Sequence, residues 1–156
     1  MNLNFEEIDF RSTPIGDLML RRRKLLQLGG LDIYEVKLGE DFLMSSLFHA
    51  AESQLAKLGL GLLKKENLDV VVGGLGLGYT AVSALEDPRV NSLVVVEYLE
   101  GVIEWHQKGL VPLGKILTKD SRCQLLNADF FALCSDLSKN FDPNHPTNKH
   151  DAILLD

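Results

Sequence analysis

The stretch Asp69–Tyr79, reading Asp-Val-Val-Val-Gly-Gly-Leu-Gly-Leu-Gly-Tyr, constrains the fold more than any other segment. Four glycines crowd into Gly73–Gly78, directly after a short β-branched run. That run, Leu68–Val72, lacks polar alternation, which predicts a strand covered on both faces. A helix over Tyr79–Leu85 follows. A glycine turn between them can take positive φ and let a ligand approach the backbone closely. The helix start beyond it offers free N–H groups and partial positive charge.

The same unit repeats downstream. Leu93–Glu97 is a second buried strand, followed by a helix with Val102, Ile103 and Leu110 on its apolar side. Cys123–Asp129 and Phe130–Leu137 form a third strand and helix, and Asp151–Asp156 a fourth strand. Asn140–Lys149 has two prolines and no periodicity, so it reads as a loop. Strands alternating with helices predict an α/β fold, a Rossmann-like doubly wound parallel sheet with right-handed crossovers. Ligands of such sheets lie at the carboxyl ends of the strands, where strand order reverses. The fourth strand has no covering helix after it, so the chain is expected to be incomplete at the C-terminus, a piece of a longer protein.

Residues 1–45 read as an N-terminal β-rich segment and 46–156 as the nucleotide-binding domain. Ile15–Arg23 and Leu31–Leu38 carry strand formers, and Gly29-Gly30 and Gly39 mark turns, giving a small antiparallel meander. Ser45 or Ser46 is placed to cap a helix running to about Leu63. Phe48, Ala51, Leu55, Leu58 and Leu62 would form its apolar face, with Gly59 and Gly61 weakening its end.

Composition narrows the function classes. The 156 residues carry a formal charge of −6 and no basic stripe, which argues against a nucleic-acid partner. Arg21–Lys24 reads as a solvated strand end. The acidic N-terminus lacks a signal-peptide core, and no apolar run approaches the roughly 20 residues of a membrane helix, so the expectation is a cytoplasmic protein with no membrane partner. Cys123 and Cys134 are expected as reduced residues in or near a core. His49, His106, His145 and His150 show no metal-ligand spacing, so no metal is expected. Trp105, Phe130 and Phe131 read as core or cleft wall.

The glycines alone leave two patterns open. Gly76–Ala81 fits the dinucleotide fingerprint G-x-G-x-x-A, and Gly74–Gly78 fits G-x-G-x-G, the S-adenosylmethionine loop. Glu97 ends the second strand nineteen residues beyond Gly78, where a carboxylate can accept from both hydroxyls of an adenosine ribose. Asp129 ends the third strand and can accept from an adenine amino group, with the Ala128 N–H serving the ring. It can equally cap the next helix. Asp156 ends the fourth strand at the mouth of the cleft and is the candidate general base for an attacking amine.

Four ordered segments, VVVGGLGLGYTA, VVVEYLEGVIEW, LLNADFF and DAILLD, resemble motifs I to IV of the class I S-adenosylmethionine-dependent transferases. More narrowly, the chain resembles the spermidine synthase family over roughly residues 15–156. LGEDFLMSSLFHAAESQLAKL is similar to that family's entry to the nucleotide domain, with His49 and Glu52 at its His and Glu positions. The resemblance implies that Gly74, Gly76 and Gly78 line the cofactor's amino-acid or aminopropyl arm, that Glu97 holds the ribose and that Asp129 holds adenine. It implies that Asp156 helps deprotonate the acceptor. It also implies S-adenosylmethionine or its decarboxylated form as cofactor, a small-molecule acceptor such as a polyamine, and leaves a homodimer open. One departure matters. The family's motif I resembles Gly-Gly-Gly-Asp-Gly-Gly, and Gly76 stands where that aspartate would bind the cofactor's ammonium. Four readings follow: an aminopropyltransferase, a methyltransferase on the same fold, a non-catalytic truncated nucleotide-binding domain, and a nicotinamide-binding domain. The last leaves the meander and Asp129 unexplained.

Overall fold

The computed structural model describes residues 4–136, 140–141 and 149–156. Most of the Asn140–Lys149 loop, His145 and the far end of the third helix expectation at Leu137 lie outside the described residues. The chain forms two compact units, Met1–His49 and Ala50–Asp156.

The first unit is an antiparallel meander of β1 (Phe5–Thr13), β2 (Gly16–Leu25), β3 (Leu31–Leu38) and β4 (Asp41–Ser45), in that spatial order. β1 was not among the expected strands, because its mostly exposed residues carry no apolar alternation. A short 3-10 turn, Leu26–Leu28, joins β2 to β3 and closes on Gly29 and Gly30 at φ +69° and +81°. Leu20 lies opposite Val36, and both are buried.

Arg21–Lys24 is not a solvated strand end. These residues sit within β2, and strand alternation divides them. Arg21 and Arg23 donate through Nε to the two carboxylate oxygens of Glu35, at 2.6 and 2.7 Å. Glu35 lies directly across the ladder from Arg21 and is 2% exposed. Arg22 pairs instead with Glu6 at 2.6 Å.

Ser45 and Ser46 do not cap a helix. The Ser45 hydroxyl accepts from the Leu47 N–H and the Ser46 hydroxyl from the Tyr34 N–H, so both serve the meander. Helix α1 begins later, at Ala50, and ends at Gly61. Its buried residues are Ala56 and Leu60, whereas Phe48, Leu58 and Leu62 are exposed. Leucines lie on several faces of this helix, so leucine spacing could not choose among them. Gly59 explains the choice: a Cβ there would lie 2.9 Å from Leu154, so this face meets the sheet closely.

In the second unit β5 (Leu68–Gly73), β6 (Val90–Glu97), β7 (Cys123–Asn127) and β8 (Ala152–Leu155) form one parallel sheet in the order β7-β6-β5-β8. The chain steps outward from β5 to β6 to β7 and returns on the far side of β5 as β8, the order reversal expected of a Rossmann-like α/β sheet. Val70–Val72 and Val94–Val96 are each at most 2% exposed. Burying such side chains contributes about 1.5–3 kcal/mol apiece, an upper bound against an extended chain. Helices α2 (Tyr79–Leu85), α3 (Glu100–Gln107), α4 (Gly114–Lys119) and α5 (Phe130–Ser135) occupy the connections. The six-residue α4 was not anticipated; no side chain caps its start. Asp151 pins β8 to β5 by accepting from the Asp69 N–H at 2.9 Å while pairing with Lys65.

Cys123 is partly buried, and burial pushes its thiol up to about 12. Cys134 is exposed, contrary to its expected place in or near the core. Trp105 is fully buried, Phe130 stacks on Phe141, and Phe131 is exposed. Among the described residues no helix is long and apolar enough to cross a membrane.

Candidate functional site

The parallel register brings the carboxyl ends of all four strands to one rim. Gly73 lies across from Val96 and Leu155, and Glu97 across from Asn127. The glycine turn, Glu97, Asp129 and Asp156 therefore leave the sheet at the same edge.

Glu97 is the most constrained of them. It is 9% exposed, and its two oxygens accept separate backbone hydrogen bonds, Oε2 from Leu75 at 3.0 Å and Oε1 from Leu99 at 2.8 Å. Among the described residues no lysine or arginine pairs with it. An ionised carboxylate has about four acceptor positions. Two backbone donors fix its orientation and leave capacity for two more, which suits a vicinal diol.

The N–H groups of the turn itself are largely used within the protein. The Gly74 N–H is given to Val96 O at 2.9 Å, the Leu75 N–H to Glu97 and the Gly78 N–H to Leu75 O at 2.8 Å. Gly74, Gly76 and Gly78 all take positive φ, +102°, +48° and +93°. A Cβ on Gly74 would come 2.8 Å from the backbone oxygen of Asp156, and one on Gly78 would meet Leu117 at 2.8 Å and His106 at 2.9 Å. Close approach of protein to protein already demands these two glycines. What the turn gives the rim is its shape and the aim of Glu97.

Asp129 is exposed and caps α5, its Oδ1 accepting from the Ala132 N–H at 3.0 Å. The carboxylate's other oxygen is open to a ligand, so capping and binding are compatible. The Ala128 N–H expected to serve an adenine ring is instead donated to Glu97 O at 3.1 Å, because the backbone there crosses to β6.

Asp156 accepts from the Thr80 hydroxyl at 2.9 Å. Burial of its carboxyl raises its pKa above the ordinary aspartate value. The Thr80 hydrogen bond opposes that rise, and the nearby Glu52 charge adds to it. Glu52 lies in α1, whereas His49 falls just before that helix. A carboxylate of raised basicity at the rim can take a proton from an incoming group.

Sequence reasoning missed His106. It is fully buried on α3, and its Nε2 lies 2.9 Å from Gly76 O. Val102, Ile103, Trp105 and His106 are all buried, a spacing of three and four that would have placed the histidine on the inner face. Among the described residues no group of three or more His, Cys, Asp or Glu side chains is placed to hold a metal ion.

Solved structures resemble this architecture closely. The spermidine synthase from Thermotoga maritima superposes with a TM-score of 0.73 at 18% identity, covering 96% of this chain and 46% of that one. A spermidine synthase in complex with the transition-state analogue AdoDATO gives 0.72 at 18% identity, covering 96% and 45%. The fold is spermidine-synthase-like. The superposition takes in both the meander and the β7-β6-β5-β8 sheet of this chain. The chain spans less than half the length of those synthases. No protein-family model matches it.

Proposed function

We propose that the chain binds the adenosyl part of S-adenosylmethionine or its decarboxylated form, as the cofactor domain of a spermidine-synthase-like transferase that moves an aminopropyl group to a small-molecule amine such as a polyamine. The observation that carries this reading is Glu97: a buried carboxylate with no cation paired to it among the described residues, oriented by two backbone donors beside the glycine turn. It accepts from the ribose hydroxyls, and Asp129 accepts from the adenine amino group while capping α5. When bound, the cofactor supplies a sulfonium-activated carbon that the amine attacks, with a thioether departing. Asp156, held by Thr80 and made more basic by burial and Glu52, takes the proton the amine must lose. Positioning and this one proton transfer are the chain's share of the chemistry.

A second reading, methyl transfer, is favoured by Gly76. Where the family's motif carries an aspartate for the cofactor's ammonium, this chain has no side chain, and the Gly76 carbonyl lies within reach of His106. Losing one charged hydrogen bond costs a ligand about 1.5–3 kcal/mol. Calorimetric titration with S-adenosylmethionine, decarboxylated S-adenosylmethionine, methylthioadenosine and NAD decides. Tighter binding of the decarboxylated form supports aminopropyl transfer, and preference for the carboxylated form supports methyl transfer. Heat with NAD alone overturns the adenosyl reading, and silence with all four favours a non-catalytic domain.

A further inference from the structure

We propose that His106 is the positioning residue of the glycine turn, its neutral imidazole donating Nε2–H to the Gly76 carbonyl and holding the turn in the shape that aims Glu97. The consequence for ligands rests on the adenosyl reading above; the pin itself does not.

The geometry fixes the proton. Gly76 O can only accept, so at 2.9 Å the hydrogen is on Nε2. Nδ1 is then a lone pair, buried and without a hydrogen-bond partner among the described residues. Among those residues, the ring's hydrogen bond is the one its Nε2 edge makes to the turn. The backbone that carries the ring is also held in place. The Gly109 N–H donates to His106 O at 3.1 Å. Gly114 packs so closely that a Cβ there would lie 2.6 Å from that same oxygen and 2.9 Å from His106 Cα. On the other side, a Cβ on Gly78 would lie 2.9 Å from His106 Cε1. The His106 backbone is thus packed against α4, and its imidazole lies against the turn.

Three consecutive residues of the turn are tied down. Gly74 N–H is held by Val96 and Leu75 N–H by Glu97, both from β6, and Gly76 O by His106 from α3. The third tie fixes the turn beyond Leu75, where the first two do not reach.

Nitrogen-15 NMR of histidine-labelled protein reads the tautomer directly. At pH 7 His106 is expected neutral and protonated on Nε2; a proton on Nδ1 alone overturns the pin, and a proton on both nitrogens overturns its neutral form. Amide exchange reads its effect without any ligand. His106→Leu should speed exchange at Gly78 by about tenfold or more while leaving Val94–Val96 unchanged, as the loss of one hydrogen bond implies. His106→Gln, whose amide reaches the Nε2 position, should restore it. Unchanged turn exchange in His106→Leu overturns the proposal, and should that variant fail to fold, the wild-type tautomer and the Gln variant decide alone. Methylthioadenosine titration separates the two ideas. Faster turn exchange in His106→Leu, with no binding by wild type, would keep the pin and discard the adenosyl reading. Equal binding by wild type and His106→Leu would discard the aiming of Glu97 by the pin and keep that reading.

Discussion

The two units bury a glutamate in opposite ways. In the meander, Glu35 is 2% exposed, and two arginines from the neighbouring strand take its two oxygens. Its charge is compensated and its strongest acceptor directions are used. In the parallel sheet, Glu97 is 9% exposed and holds two neutral backbone N–H groups and, among the described residues, no cation. Both are strand residues within hydrogen-bonded ladders, so burial alone does not mark a site. What marks it is the unspent capacity: Glu35 completes a structure, whereas Glu97 is oriented and left short of donors.

Mutations on the two sides should therefore separate stability from binding. Replacing both Arg21 and Arg23 with alanine leaves the Glu35 charge buried without a partner. The expected loss is about 3 kcal/mol in urea unfolding, the low end for a broken buried pair because both guanidinium groups are partly exposed. Methylthioadenosine affinity of the folded protein should stay at its wild-type value. Glu97→Ala should do the reverse. Calorimetric affinity for any adenosyl ligand should fall by about 100-fold or more, roughly 2.7 kcal/mol. Stability should fall by less, about 2 kcal/mol, for the stranded Leu75 and Leu99 N–H groups. Unchanged affinity in Glu97→Ala would erase the distinction between the two carboxylates.

Gly78→Ala tests the turn that aims Glu97. The residue sits at φ +93°, and its new methyl would press on Leu117 and on His106. The expected cost is about 1–3 kcal/mol in thermal or urea unfolding. A neutral result would mean that the turn rearranges freely.

The same contrast explains what was legible beforehand. The parallel sheet could be read from Val70–Val72 and Val94–Val96, because a strand buried on both faces leaves an unbroken apolar run. Glu97 could be placed from its spacing to the glycines, since strand and turn lengths vary little in such units. Glu35 could not, because its meaning depends on which residue of β2 lies across the ladder, and register is set by turns. Read as a charge run, Arg21–Lys24 hides the alternation that sends Arg21 and Arg23 to Glu35 and Arg22 to Glu6. The buried face of α1 was missed for a related reason: a small residue, Gly59, chose it over the leucines. Ala128 shows the limit at the site itself, where its N–H goes to Glu97 O through a long-range contact that sequence spacing does not carry.

Asp129 should behave as the weaker rim carboxylate. Asn caps a helix as well as Asp, so Asp129→Asn should move stability by no more than about 0.5 kcal/mol. It should weaken adenosyl binding only about three- to tenfold, since an exposed, water-competed hydrogen bond is replaced by a neutral one. A loss as large as that of Glu97→Ala would mean that exposure does not separate the two roles.

A pH series probes the buried imidazole that lies against the glycine turn. Burial lowers the His106 pKa below 6.5, and the Gly76 hydrogen bond only partly opposes this. The unfolded chain therefore binds a proton at a higher pH than the folded one. The stability His106 contributes is complete above about pH 6.5 and is lost as pH falls from there through the lowered folded value. Asp156 runs the other way. With its folded pKa raised, its contribution is present below the ordinary aspartate range and is lost as pH rises through the folded value. Many carboxylates titrate below pH 5, so the informative quantity is the difference in urea stability between wild type and His106→Gln from pH 7.5 to 5. That difference should move against wild type on acidification, with a slope of no more than about 1.4 kcal/mol per pH unit for one proton. A flat difference would mean that His106 titrates alike in the folded and unfolded chains, and the turn beside Glu97 would then rest on no buried neutral imidazole.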